Sequence, residues 1–250
     1  MRARNKRRRV RGFTSLAFLC LCASALVLRA QQGAVTIKVN VISSPVGKKA
    51  VADSSSVVVW LTSLKTGADP GASAQPSRSA PQVAQINKNF EPHLLVIQTG
   101  AAVEFPNRDP FLHNVFSLFD GKRFDLGFYE AGSSKNVHFD RPGVSFLFCN
   151  IHPEMSAAVV AVDTPYFGIS DRSGRVTIAG VPDGHYQLNV WYERSLPDDL
   201  KKLSRTVSIS EATRSVESVE IRENPNFTLA HKNKYGQDYT PAGNSTYGHP

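Results

Sequence analysis

Apolar and polar residues alternate with a period of two through most of this chain. Residues 34–41 alternate strictly, and residues 56–61 form a run of β-branched and aromatic side chains, as strands do. From residue 83 onward the same rhythm continues at close spacing, broken by turns such as Thr99-Gly100. The pattern predicts no amphipathic helix of useful length. Many short strands separated by regular turns are typical of an all-β protein built as a β-sandwich.

A second β-sandwich is predicted to begin near Thr164. Residues 164–222 contain alternating segments separated by Asp- and Gly-containing turns, which is enough for a small sandwich of its own. The predicted first domain therefore spans residues 34–162. Residues 223–250 are polar, rich in Asn, Gly and Tyr, and without periodicity, so they predict a disordered tail.

The first 30 residues predict a secretory signal peptide. They hold eight Lys or Arg and no acidic residue, and residues 13–28 form a predominantly apolar run. That run is shorter than the roughly 20 residues that a membrane-spanning helix needs. Because Arg29 leaves no clear cleavage site, a retained membrane anchor is the alternative. We therefore expect an exported, periplasmic bacterial protein with no membrane span after removal of the signal.

The formal charge of +8 comes from the predicted signal peptide. The chain has 29 basic and 21 acidic residues, and the eight basic residues of the first 30 account for the whole excess. The remaining chain is formally neutral and has no basic cluster. This balance argues against a nucleic-acid partner.

The cysteines direct attention to one short segment. Cys20 and Cys22 lie in the predicted signal peptide, so Cys149 is the one cysteine of the mature chain and has no intramolecular disulfide partner. His152 and Met155 follow it at spacings of three, and His113 lies on an earlier predicted strand. One thiolate, two imidazoles and one thioether form the ligand set that holds a single type 1 (blue) copper.

Motifs of common enzyme classes are missing from the sequence. It has no Gly-rich phosphate loop and no Ser nucleophile elbow. It also has no His-x-His pair of the kind that multicopper oxidases use. We therefore expect a protein that is not an enzyme in its own right.

The region around the four candidate ligands resembles the cupredoxins of the plastocyanin, amicyanin and pseudoazurin kind, which are Greek-key β-sandwiches. The resemblance rests on the ligand loop from Cys149 to Met155, on His113-Asn114, and on a pattern in residues 90–109. That pattern reads Phe90-x-Pro92, Gly100 and Val103-x-Phe105-x-Asn107-x-Asp109.

The resemblance implies a role for each matching residue. His113 and His152 would be the equatorial imidazole ligands, Cys149 the thiolate and Met155 the axial thioether. Asn114 would lie behind the ligands and would join the His113 loop to the Cys149 loop by hydrogen bonds. Outer hydrogen bonds of this kind orient ligands and tune a metal site.

Residues 164–222 resemble the carboxypeptidase-regulatory or transthyretin-like modules. The similarity rests on Asp171-x-x-Gly174 and on Val181-Pro182-x-Gly184-x-Tyr186. It implies a carbohydrate-binding-like fold and says almost nothing about function. The whole layout is similar to exported bacterial proteins of the methylamine-utilisation or plastocyanin-like type.

Three functions remain open at this point. The first is an exported one-electron carrier whose redox partner would be a periplasmic cytochrome or a dehydrogenase. The second is a copper-binding or delivery protein, although Met155 is the one methionine beyond Met1, whereas a delivery site is expected to have more. The third is an adhesion or carbohydrate-binding-like module in which copper is structural.

Overall fold

The computed structural model describes residues 33–43, 53–65, 80–118 and 121–239. The predicted signal peptide, residues 1–30, lies outside the described residues. The described part is almost entirely β-structure with one short helix, which confirms the predicted all-β class.

The strands follow one another at the short spacing that the alternating pattern predicts. In chain order the elements are β1 (Gly33–Ile42), β2 (Val58–Ser63), β3 (Ala84–Ile86), β4 (Asn89–Glu91), β5 (Leu94–Gln98), β6 (Ala102–Pro106), β7 (His113–Ser117), β8 (Phe124–Tyr129), β9 (Ser134–His138), β10 (Gly143–Phe148), β11 (Ser156–Val162), β12 (Phe167–Ile169), β13 (Arg175–Val181), β14 (Gly184–Trp191), α1 (Pro197–Lys202), β15 (Arg205–Ile209) and β16 (Ser215–Arg222).

Residues 80–118 and 121–163 form one unit, here called the central sandwich. Its main sheet has the order β5-β11-β10-β7-β8, with β5 and β11 parallel and the other pairs antiparallel. Two ribbons, β3-β4 and β6-β9, lie across a shared apolar core from this sheet. Phe105, Phe139 and Leu147 are fully buried in that core. Every residue of β7 is buried, so this strand runs through the middle of the unit.

A second unit, here called the flanking sandwich, has its own core. Its sheets have the orders β13-β1-β16 and β12-β2-β14-β15. β1 pairs antiparallel with β13 and parallel with β16. Alternate residues of β1, from Val35 to Val41, point into the core, as the strict alternation of this segment predicts.

The predicted N-terminal limit of the first domain, residue 34, is wrong. Residues 34–162 were expected to form the first domain, but β1 and β2 pair only with strands that follow residue 164. The flanking sandwich therefore consists of residues 33–43, 53–65 and 164–222, and the central sandwich lies between the second and third of these pieces in the sequence. Alternation identifies a strand, but it does not specify which distant strand will pair with it.

An apolar junction joins the two sandwiches. Val160 and Val162 of β11 face away from the central core and pack with Val58 of β2 in a third buried cluster. Nearby, His93 Nε2 lies 2.7 Å from Glu193 Oε2, so the junction also contains an ion pair whenever the histidine is protonated. The hydrogen bond to Glu193 raises the pKa of His93.

The predicted disordered tail is also corrected in part. Residues 223–239 continue from β16 across the central sandwich and hydrogen-bond to it, for example from Tyr239 to the carbonyl oxygen of Cys149. Residues 240–250 lie outside the described residues. A lack of periodicity predicts the absence of regular structure, but an irregular segment can still pack against a surface.

Within the described ranges, α1 is the one helix, and it is far too short and polar to cross a bilayer.

The strand assignment predicts where a core mutation acts. Ile37→Ala removes a fully buried side chain of β1, and a substitution of this kind typically costs about 2–5 kcal/mol of unfolding free energy. Amide hydrogen exchange should accelerate in β13 and β16 and stay slow in β10. Val159→Ala, in the core of the central sandwich, is the matched control and should show the opposite pattern. Faster exchange confined to β10 and β11 in Ile37→Ala would contradict the assignment.

Candidate metal centre

The candidate ligand loop connects the antiparallel strands β10 and β11. Cys149 directly follows β10 and is fully buried, and Met155 directly precedes β11 and is also fully buried. The backbone N–H of Cys149 donates to the Met155 carbonyl at 3.3 Å, and the N–H of Met155 donates to the His152 carbonyl at 3.1 Å. These two hydrogen bonds close the loop on itself.

His113 reaches the same place from the neighbouring strand. It is the first residue of β7, which pairs with β10, and Phe116 of β7 lies opposite Phe148. This pairing sets the side chain of His113 beside that of Cys149. Like Cys149, His113 is fully buried.

Three of the four predicted ligands converge on one point. The Cys149 Sγ atom lies 3.8 Å from His113 Nδ1 and 3.5 Å from His152 Nδ1. All three ligand atoms lie within 4.8 Å of one another. A metal bonded to sulfur at about 2.3 Å and to nitrogen at about 2.0 Å, with an angle of roughly 120° between the bonds, places those two atoms about 3.7 Å apart. The three side chains therefore fit a trigonal metal site.

The two other predicted residues lie close by. Met155 is buried in the same apolar core as Cys149, at the end of the ligand loop. Asn114 is buried next to His113, but its side chain does not link the two loops as the resemblance implied. Instead the amide of Asn114 donates to Asp125 Oδ1 at 2.7 Å. It is the backbone amide of Asn114 that hydrogen-bonds to the cysteine side chain.

Asp109 fixes the orientation of the His113 ring. Its Oδ2 atom lies 2.7 Å from His113 Nε2, and both side chains are buried. Because a carboxylate accepts a hydrogen bond from Nε2–H, the Nδ1 atom keeps the lone pair that faces Cys149. A ligating histidine commonly donates its second ring N–H to a carboxylate in this way.

The turn between β3 and β4 stabilises the charge of Asp109. Asn87 and Lys88 both have positive φ angles, of 53° and 57°, in a two-residue hairpin turn. Their successive backbone amides donate to Asp109 Oδ1 at 2.6 Å and Oδ2 at 2.9 Å. Burial acts to raise the pKa of this carboxyl, but these amides and the His113 ring outweigh it and hold the pKa below its usual value.

Two opposing effects act on the pKa of the Cys149 thiol. Burial raises the pKa of the thiol, because it disfavours the charged thiolate. Hydrogen bonds from the backbone amides of Asn114, Ile151 and His152 act in the opposite direction. For His152, burial is the main cause of a lowered pKa, which favours the neutral imidazole that can bind a metal.

The sequence did not identify several of these residues as part of the site. Asp109 is part of the family pattern but has no role assigned by it, and nothing in the sequence marks Asp125 as part of the site. The sequence does not mark Asn87 and Lys88 as a turn with positive φ angles, because neither residue is the glycine that is usual in such a turn. The i,i+4 spacing of Asp109 and His113 was a possible signal, but on an irregular segment this spacing alone does not imply contact.

Comparison with known proteins gives structural matches only. No protein-family model matches the chain, and no curated protein matches it in sequence. The solved structures that match include a purple cupredoxin from Nitrosopumilus maritimus, with 23% identity and a TM-score of 0.31, covering 33% of this chain and 99% of that one. An amicyanin mutant in the Cu(I) form has 20% identity and a TM-score of 0.32, and the match covers 42% of this chain and 98% of that one.

A copper-containing nitrite reductase from Thermus scotoductus also matches, with 24% identity and a TM-score of 0.32. The match covers 34% of this chain and 22% of the reductase. The chain therefore spans about a fifth of the length of that enzyme.

The contact between Asp109 and His113 predicts a loss of metal affinity when the carboxylate is removed. Asp109→Asn keeps the size of the side chain but removes its charge, so the His113 ring loses its strongest orienting contact. Outer contacts of this type are typically worth about 10- to 100-fold in metal affinity. Chelator competition with Cu(II) measures the loss. Asp140→Asn, which removes an exposed carboxylate from the same sandwich, is the control. Equal affinity for Asp109→Asn and the unmodified protein would contradict this role.

Proposed function

We propose that this protein binds one type 1 copper and carries one electron at a time. The proposal is supported above all by the convergence of Cys149 Sγ with the Nδ1 atoms of His113 and His152. Met155 would be the weak axial ligand. A thiolate and a thioether together favour copper over zinc, whose structural sites use Cys and His. When bound, copper supplies a redox couple between Cu(I) and Cu(II).

The chain contributes a ligand frame that is already assembled. His113 is held by Asp109, Cys149 by the pairing of β10, and the loop by its two internal hydrogen bonds. A frame fixed by these contacts changes little when one electron is gained or lost. A small rearrangement on electron transfer is what a carrier requires.

His152 is the best candidate for the route by which an electron enters and leaves. It is the one ligand side chain of the proposed four that is only partly buried. Around it lie exposed apolar residues: Phe111 is 37% exposed, Leu112 48% and Ile151 44%. The ring centroid of Phe111 lies 5.8 Å from that of His152. This apolar surface would dock a redox partner such as a periplasmic cytochrome or a dehydrogenase.

The burial of the site argues against copper delivery. A delivery site must exchange its metal readily, but His113, Cys149 and Met155 are all fully buried. In the described part of the flanking sandwich, Tyr166 and Tyr186 belong to the core and so do not form an exposed platform for a ligand. The carrier function therefore has the better support.

We predict an intense visible absorption band from the thiolate when the protein binds Cu(II), and its loss in Cys149→Ser. The reason is that Cys149 is the one described thiol and lies beside both imidazoles. His152→Ala should also remove or strongly change the band. The control is His185→Ala, since that exposed side chain contacts Ser208 in the flanking sandwich. Visible and electron-spin-resonance spectra provide the measurement, and a colourless Cu(II) complex of the unmodified protein excludes a type 1 site.

Met155→Leu should keep the copper and raise its reduction potential. A thioether is a weak ligand that favours Cu(II), and Leu fills nearly the same volume without donating electrons. Redox titration of the variant measures the shift. Complete loss of copper would mean that Met155 is a principal ligand rather than an axial one.

Docking of a partner should depend on the apolar surface and only weakly on salt. Ile151→Lys places a charge on this surface and should slow electron exchange with a cytochrome, whereas Ile169→Lys, on the flanking sandwich, should not. Stopped-flow kinetics at increasing ionic strength measures both effects. A steep fall of the rate with salt that disappears in Glu154→Gln would instead indicate docking by charge.

A further inference from the structure

The described end of the chain, which the sequence predicts to be disordered, forms a segment that packs against the central sandwich. Residues 223–239, here called the C-terminal arm, leave the flanking sandwich after β16. The N–H of Asn224 still donates to the carbonyl of Arg194, at 2.7 Å. Beyond this point the arm makes its closest described contacts with the central sandwich, and they gather around the ligand loop.

Tyr239 contacts the backbone of a proposed metal ligand. Its hydroxyl donates to the carbonyl oxygen of Cys149 at 2.6 Å. The same hydroxyl oxygen lies 3.2 Å from Nδ1 of His231, so these two residues of the arm support each other. The carbonyl of Cys149 is part of the first peptide bond of the loop, so its position affects the direction of the loop.

His231 packs against the residue that precedes the ligand loop. Its ring stacks on Phe148, the residue before Cys149, with a centroid distance of 4.2 Å and an interplanar angle of 29°. The ring therefore lies beside the start of the loop.

Lys234 makes two further contacts. Its backbone N–H donates to Asn150 Oδ1 at 3.0 Å, and its ammonium group lies 2.7 Å from Asp125 Oδ2. The other oxygen of Asp125 accepts from the Asn114 side chain, and the Asn114 backbone amide hydrogen-bonds to the Cys149 side chain. A continuous chain of polar contacts thus joins Lys234 to the sulfur.

The arm leaves the outer surface of the loop open. Ile151, Pro153 and Glu154 are exposed, and His152 remains partly exposed. The contacts of the arm lie instead on Cys149, on Asn150 and on the residue before the loop. The arm thus holds the loop from the side without blocking the surface that would meet a partner.

We propose that the C-terminal arm keeps the ligand loop in its metal-binding geometry, with Tyr239 and His231 as positioning residues that act through the loop backbone. Only the copper measurement below rests on the proposed function, because the hydrogen-exchange experiment uses the protein without metal. A loop held in its bound geometry loses less conformational freedom on binding, so it binds more tightly and releases more slowly.

Hydrogen exchange of the full-length, metal-free protein tests the proposal. Tyr239→Phe removes one hydroxyl, and the amides of Cys149 and Met155 should exchange about two- to tenfold faster, the range that corresponds to one lost hydrogen bond. The matched control is Tyr186→Phe, which removes a hydroxyl that donates to the carbonyl of Pro182 in the flanking sandwich. The control should leave the loop amides unchanged. Unchanged loop exchange in Tyr239→Phe, or an equal increase in the control, overturns the proposal.

A second measurement uses the copper-loaded protein. Lys234→Gln leaves Asp125 without its cation, so negative charge near the site should favour Cu(II) and lower the reduction potential. Lys232→Gln is the control, since Lys232 lies 3.9 Å from Asp238 within the arm itself. Equal reduction potentials for Lys234→Gln and Lys232→Gln would contradict the claim that Lys234 of the arm affects the metal site. If the unmodified protein binds no copper, the proposed function fails. The hydrogen-exchange experiment then still tests whether the arm holds the ligand loop in place.

Discussion

The pairing of β7 with β10 is the contact on which the candidate site depends. It places the first residue of β7, His113, beside the residue that follows β10, Cys149. Both strands lie in the interior of the main sheet, where β10 is also paired with β11. The distance between the sulfur and the nitrogen is therefore set by the register of a buried sheet rather than by a mobile loop.

Polar contacts refine what the sheet positions. The hairpin turn at Asn87 and Lys88 directs two amides to Asp109, and Asp109 orients the ring of His113. The C-terminal arm contacts the loop through the Cys149 carbonyl. Buried groups of this kind must be satisfied to be tolerated, and when they are satisfied they fix a single arrangement. Four parts of the chain thus hold the ligands in place: the paired strands β7 and β10, the β3–β4 turn, Asp109 and the C-terminal arm.

Sequence reasoning predicted the strands, the β-sandwich class and the residues that converge, because each of these is local. Alternation within β1 is visible in the sequence, and so is the spacing of Cys149, His152 and Met155. The partners of β1 were not predictable, since β13 and β16 lie more than 130 residues later. The same limit applies to Tyr239, because contact between an irregular segment and a loop 90 residues earlier leaves no periodic signal.

X-ray absorption at the copper edge of the loaded, full-length protein tests the central claim most directly, because it measures the ligands of the metal in both oxidation states. The account predicts one short bond to a thiolate sulfur and two bonds to imidazole nitrogens, with little change on reduction. A shell of nitrogen and oxygen atoms without a short sulfur bond, or a large change of the shell on reduction, would contradict it.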